Sequence, residues 1–249
     1  MPNNKMAMTI SLLAMWFSAL SGCGPGEAPD ALAQGGSGLA FVEPRTRTIE
    51  LSKNEAQQLE IMNGGILDEN IAGGYIVLAP GNEMTGAEKD TYKKALLRRP
   101  LEMAQEGGRP GDVNVSWCSG WYLSNVQYRG GSWYFPSLRL GAAEGWGPIT
   151  LTVNVTRTVS ATFSANVGVS AEVVSAGVGF DVNASFSVST EGSWNVPSGV
   201  HGRLEAYALF DKYTFDVWDD DCGDPADTYK GNGAAYKPNL GIYFKKVYL

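Results

Sequence analysis

Histidine and cysteine are almost missing from this chain of 249 residues, which has one of the former and three of the latter. That scarcity weighs against chemistry built on them. A serine triad would need His201, which falls in the turn-like stretch Ser198-Gly199-Val200-His201-Gly202, and no nucleophile elbow accompanies it. A zinc site would have too few ligands, spread too far apart for a metal spacing. No glycine-rich loop sits between a strand and a helix, so neither a nucleotide nor any other cofactor is expected. Charge is also sparse, at 18% of residues, with a net value of −7 and no basic run. Nucleic acid is therefore not an expected partner, and a non-enzymatic role is expected.

The one long apolar run lies at the start. Lys5 gives a positive lead, Met6 to Leu20 form the apolar stretch, and Leu20-Ser21-Gly22-Cys23 closes it. The run is too short and poorly flanked for a spanning helix and reads as a secretory signal, residues 1–22. Small residues leading into a cysteine resemble the bacterial lipobox. The resemblance implies a lipoprotein whose mature chain begins at Cys23, with palmitate-type lipid anchoring it to a membrane of the cell envelope. Gly24 follows, with no aspartate to suggest inner-membrane retention, so the outer membrane is the expected address in a host with two membranes. With Cys23 lipidated, Cys118 and Cys222 remain as an even pair in an oxidising compartment and are expected to bridge. Loop entropy sets an upper contribution of roughly 4–5 kcal/mol for that closure.

Residues 23–39 are rich in Gly, Pro and Ala and read as a flexible tether. Residues 40–111 read as a small mixed helical segment. Ser52-Lys53-Asn54-Glu55 and Thr85-Gly86-Ala87-Glu88 are capping boxes, predicting helices over Lys53–Met62 and from Thr85 to about Arg99, with Tyr75–Ala79 as a short strand between them. From residue 112 the signals are almost wholly β. Val113–Trp117, Trp121–Tyr128, Ser132–Leu140, Arg203–Trp218 and Leu240–Leu249 read as strands, with a hairpin turn at Arg129-Gly130-Gly131-Ser132. The expected class is mainly β, a β-rich α+β fold of elongated antiparallel sheets.

Two side-chain groups offer binding chemistry. Asp219, Asp221 and Asp224 belong to an acidic run that could collect oxygen ligands around calcium. The EF-hand spacing fails, because Asp224 stands where the glycine belongs, and a solvated acidic loop is the favoured reading. Trp117, Trp121, Tyr122, Tyr128, Trp133, Tyr134 and Phe135 could form a surface for a glycan or protein partner. Core packing is favoured for these too, since large aromatics on adjacent strands commonly pack across them.

The most informative stretch is 149–190. Odd positions are apolar from Ile149 through Val159, Ala161, Phe163, Val167, Val169 to Ala171, broken only by Arg157. Past Glu172-Val173 the phase flips, and Val174, Val178, Phe180, Val182, Phe186 and Val188 occupy even positions. Serine, threonine, asparagine and glycine lie between them. Period-two alternation in two opposed phases predicts a long amphipathic hairpin that reverses at Glu172-Val173. Each arm exceeds the 9 to 11 residues of a transmembrane strand. The same pattern resembles the insertion hairpin of aerolysin-type pore-forming proteins, which implies a target membrane and a homo-oligomer. Unlike most released toxins, this chain is expected to carry a lipid anchor. The second half also resembles a group of secreted bacterial proteins with no assigned activity. That likeness runs through Val167–Phe180, Val196-Pro197-Ser198-Gly199, Leu204-Glu205-Ala206-Tyr207 and the tail Tyr236-Lys237-Pro238 to Ile242-Tyr243-Phe244. A hairpin that covers a core satisfies the alternation equally well, so both readings stand at this point.

Overall fold

The computed structural model describes residues 44–98, 120–220 and 227–249, all within the unit Val42–Leu249. It is mainly β with antiparallel sheets. The elements in chain order are β1 (Thr48–Leu51), α1 (Lys53–Met62), β2 (Ile71–Val77), α2 (Gly86–Leu96), β3 (Gly120–Tyr128), β4 (Arg139–Trp146), β5 (Ile149–Ser160), β6 (Thr162–Ala165), α3 (Ala171–Val178), β7 (Ser185–Val196), β8 (His201–Asp220) and β9 (Thr228–Tyr248). Both capping boxes form as the sequence predicts. The backbone N–H of Ser52 donates to Glu55 at 2.8 Å, and that of Thr85 donates to Glu88 at 2.7 Å.

β8 and β9 pair along nearly their whole length and form the spine. On the open edge of β8, β3 runs beside the C-terminal half and β4 beside the N-terminal half, both antiparallel. The residues between them keep contact through a bridge from Trp133 to Phe210. Arg129–Ser132 is therefore no hairpin turn, and the strand expected over Ser132–Leu140 begins only at Arg139. On the open edge of β9, β2 takes one half and β6 the other. Pro238 lies in the gap between the β2 and β6 pairings, where a missing N–H costs no ladder bond. The register slips there as well, and Asn239 steadies the bulge by donating to the Gly131 carbonyl at 2.7 Å and accepting from Gly241 N–H at 3.1 Å.

Side chains alternate across this spine. Even positions of β8 (Leu204, Ala206, Ala208, Phe210) face a core shared with β5 and β7. Odd positions Tyr207 and Leu209 face α1 and α2, where Leu59 and Leu96 are buried. Further along, odd positions Phe215 and Val217 face a third core. β1 and β2, drawn from the stretch read as mixed and helical, join the main sheet.

Beneath α1 lies a buried charge group. Lys245 Nζ stands 3.3 Å from Glu60 Oε2 and 3.4 Å from Glu205 Oε2. Arg139 and Arg203 each approach Glu205 Oε1 at 2.9 Å, and the Tyr134 hydroxyl donates to Glu60. Burial pushes the Glu205 carboxyl up, but Lys245, the Tyr207 hydroxyl, Arg139 and Arg203 outweigh it and hold the group below the ordinary carboxylate value of 4.5. A depressed folded-state value means the stabilisation is present above that ordinary value and is lost as pH falls through the folded one. Glu205→Gln should lower Tm at neutral pH, and the gap from the unaltered protein should shrink as the pH of the thermal melts is taken below 4.5.

The expected Cys118–Cys222 bridge lies outside the described residues. The β3–β8 ladder ends with Gly120 opposite Asp220, and each cysteine is two residues beyond that pair in the sequence. Exported protein should show no free thiol at Cys118 or Cys222 by alkylation and peptide mass analysis unless it is first reduced.

Candidate membrane-insertion segment

β5 and β7 form a separate two-stranded sheet, with twelve residues in each strand and an unbroken register from Ile149 opposite Val196 to Ser160 opposite Ser185. Its apolar side is covered. Leu151, Val153, Val155, Val159, Val188 and Val196 are buried against β8 and β9. Its polar side is wet, with Thr150 donating to Asn195 Oδ1 at 2.7 Å and the Ser160 and Ser185 hydroxyls 2.9 Å apart. Arg157 breaks the apolar row and is exposed.

This ladder is firmly seated. A Cβ on Gly192 would lie 2.3 Å from the Phe244 ring, so only glycine allows that approach. Tyr75 stacks on Phe244 with ring centroids 5.1 Å apart and donates its hydroxyl to the Ser193 carbonyl at 2.9 Å. Burial pushes the Tyr75 phenol up to about 12, so it stays a donor at all physiological pH.

Beyond Ser160 the chain departs from the sequence expectation. The arms continue as a ladder only through Ala161, whose N–H donates to the Ala184 carbonyl at 2.8 Å. Thr162–Ala165 then pairs with the edge of β9 instead, with Phe163 opposite Ala235. Asn166 extends this edge, its N–H donating to the Asn232 carbonyl at 3.1 Å while its Oδ1 accepts from Asn232 N–H at 2.8 Å. The expected reversal at Glu172-Val173 is absent, because both residues lie in the first turn of α3, capped by Ser170 and closed by Gly179 at φ +77°. The reason is burial. Continued outward as a hairpin, the segment would leave its apolar side in water. Folded back, it seats that side on the distal half of the spine.

The candidate insertion residues are all placed by this arrangement. Val159 is buried in the core beneath β5, and Ala161 is buried at the end of the ladder. Phe163, Val167, Val169, Val174, Val178, Phe180 and Val182 meet Phe215, Val217 and Ala235 in the third core. Phe186 is half-buried on β7 opposite Val159. The odd parity of Phe215 and Val217 puts this core on the α1 side of the sheet, so the chain passes around the β9 edge at β6. Sequence alternation could not reveal that crossing.

α3 has little stability of its own. It is eight residues of sequence AEVVSAGV, well under the ~12–15 residues at which isolated helices become even marginal. Gly177 costs roughly 1 kcal/mol against alanine, and the β-branched valines are weak helix formers. Docking offsets this, since Val174 is fully buried and Val182 nearly so, each contributing on the order of 1.5–3 kcal/mol. Gly177 is part of that fit, because a Cβ there would lie within 2.7 Å of the Leu123 side chain.

The other candidates come apart. Asp219 stands 3.1 Å from Lys230 Nζ, while Asp221, Asp224, Cys23 and Trp117 lie outside the described residues. The aromatic strands are largely taken up by packing, which removes most of the binding surface imagined there. Tyr134 is buried, Phe135 packs edge-on to Phe210, and Trp133 sits under Lys212 Nζ at 3.7 Å. Trp121 joins the third core, Tyr122 is half-buried, and Tyr128 is exposed. His201 opens β8 rather than lying in a turn, and its ring stacks on Trp146 at 4.9 Å. No helix among the described residues is long and apolar enough to cross a membrane, which leaves β-strand insertion untouched.

No family model matches the chain, and no curated protein sequence does. Among solved structures, parasporin-2, a Bacillus thuringiensis toxin that recognises cancer cells, aligns over 81% of this chain and 94% of its own at 12% identity, with a TM-score of 0.19. So loose an overlap decides nothing about fold or function.

Gly177→Val should loosen the docked segment selectively. Amide exchange across 161–184 is expected to quicken severalfold while exchange in the β8–β9 spine stays unchanged, read by hydrogen–deuterium mass spectrometry.

Proposed function

We propose that this is a non-enzymatic, exported cell-envelope protein, anchored through a lipid on Cys23, that breaches a target membrane by extending residues 161–184 as a β-hairpin. The extension is of the aerolysin type that the sequence pattern resembles, and it requires assembly of several copies.

The observation that carries this reading is the register of the folded ladder. Each step forward on β5 is a step back on β7. Continued without a slip, that register sets Phe163 opposite Val182, Ala165 opposite Phe180, Val167 opposite Val178, Val169 opposite Ala176 and Ala171 opposite Val174. Every such pair is apolar with apolar, and the turn falls on Glu172-Val173. A slip of one residue would have set most of these apolar side chains against aspartate, asparagine, serine or glycine. Each extended arm has about eleven residues, the length of a transmembrane strand. A segment folded as strand, loop and helix has no need of a sequence in phase with a ladder it does not join. Extension supplies that need, with the apolar face to lipid and hydroxyls and amides to water.

The test locks the segment down. Ser164 and Ala234 are register partners on β6 and β9, both small and on the wetter face. Ser164→Cys/Ala234→Cys, once oxidised, should abolish dye release from phosphatidylcholine vesicles or target cells, and mild reduction should restore it, with the unaltered protein carried through the same reduction. Release that persists with the lock formed, or no release from any vesicle composition or cell type at high protein concentration, sinks the reading.

A further inference from the structure

We infer that the conduit lined by the extended hairpin is cation-selective. This rests on the insertion reading above and concerns what such a conduit would pass.

The 149–196 stretch contains only four charged residues: Arg157, Glu172, Asp181 and Glu191. Their distribution between the two faces is lopsided. In the folded ladder Glu191 stands opposite Asn154 on the exposed polar face, among serines and threonines. Arg157 stands opposite Val188 on the other face, in the apolar row. Continuing the register sets Asp181 opposite Ser164 on the polar face, about a third of the way up the extended arms, and puts Glu172 in the turn. The face turned to water thus carries carboxylates and no base, while the single guanidinium faces outward. It lies near the foot of the extension, where its long side chain can reach an interface.

Assembly multiplies the imbalance. Each copy contributes one Asp181 within the extended arms and one Glu191 on β7 below their foot. The two positions thus become rings of carboxylates at separate depths, one inside the barrel and one at its mouth, and such rings select cations. Among the described residues neither carboxylate has an ion-pair partner in the folded state. Both are exposed, and the Asp181 carboxylate accepts from the backbone N–H of Asn183 at 2.8 Å. The remaining lining is serine, threonine, asparagine and glycine, all uncharged, so it leaves the sign of the field to the carboxylates.

The measurement is the reversal potential of the full-length protein in a planar phosphatidylcholine bilayer under a KCl gradient. Potassium is expected to be several times more permeant than chloride. Asp181→Asn should reduce the ratio, and Asp181→Lys should invert it. Glu191→Gln provides a second, independent ring whose removal should also lower selectivity. A conducting pore that favours chloride, or whose selectivity is indifferent to both positions, overturns this inference and leaves insertion standing. Absence of any conductance overturns insertion and this inference with it.

Discussion

The antiparallel ladder of β8 with β9 is the constraint on which everything else in this protein depends. Two strands of 20 and 21 residues, paired almost throughout, offer more apolar surface than one partner layer can cover. Their side-chain alternation divides that surface into three cores. Two are closed by elements suited to the task, the β5–β7 ladder on one face and α1 with α2 on the other. The third, around Phe215, Val217 and Ala235, is closed by the segment 161–184, whose local preferences point elsewhere. Tertiary burial overrides propensity in this segment, as it can wherever several buried valines are set against a short helix.

That override gives the segment two ways of satisfying one pattern. Folded back, the alternate residues reach the spine from a strand, a loop and a helix in succession. Drawn out, the same residues fall on one face of a hairpin continuous with β5 and β7. The two states differ little in local chemistry and greatly in surroundings. One needs the spine and the other needs an apolar medium, and in water only the first is supplied. The seated ladder below Ser160 serves both, since Gly192 against Phe244 and Tyr75 against Ser193 hold it in place whether or not the segment stays docked.

Much of this was legible in the sequence, for physical reasons that can be named. The capping boxes at Ser52 and Thr85 are local chemistry, and both helices begin where those residues place them. The alternation of β5 and β7 reports a half-buried sheet, and their exposed and buried faces follow it apart from the exposed Ile149 and Arg157. What stayed hidden was set by partners distant in the chain. The alternation through Phe163 and Phe180 predicts a two-faced hairpin, and the two faces are there, but β9 competes for β6 and Leu123 receives Gly177. The stretch after Tyr128 looked like a hairpin because Gly130-Gly131 is good turn chemistry. It instead carries the chain along β8 from β3 to β4. His201 lies in a glycine-flanked run with the chemistry of a turn, yet it opens β8 and stacks on Trp146.

On the insertion proposed above, the edge of β9 explains why the docked state is kept until copies meet. Lifting 161–184 uncovers the third core and also strips β6 from β9, leaving backbone donors and acceptors unpaired at Gly233 to Tyr236. The freed hairpin has the same defect, since both its outer edges are bare. In lipid each bare group costs several kcal/mol, so a single two-stranded hairpin cannot rest there alone. Closure into a barrel removes those edges at once, and only neighbouring copies can supply the missing strands. The cost of undocking is therefore recovered through assembly and not through contact with a bilayer alone. On the same proposal, a monomer held at a membrane by a lipid on Cys23 keeps the segment docked until copies meet, so the proposed anchor and the proposed insertion are compatible.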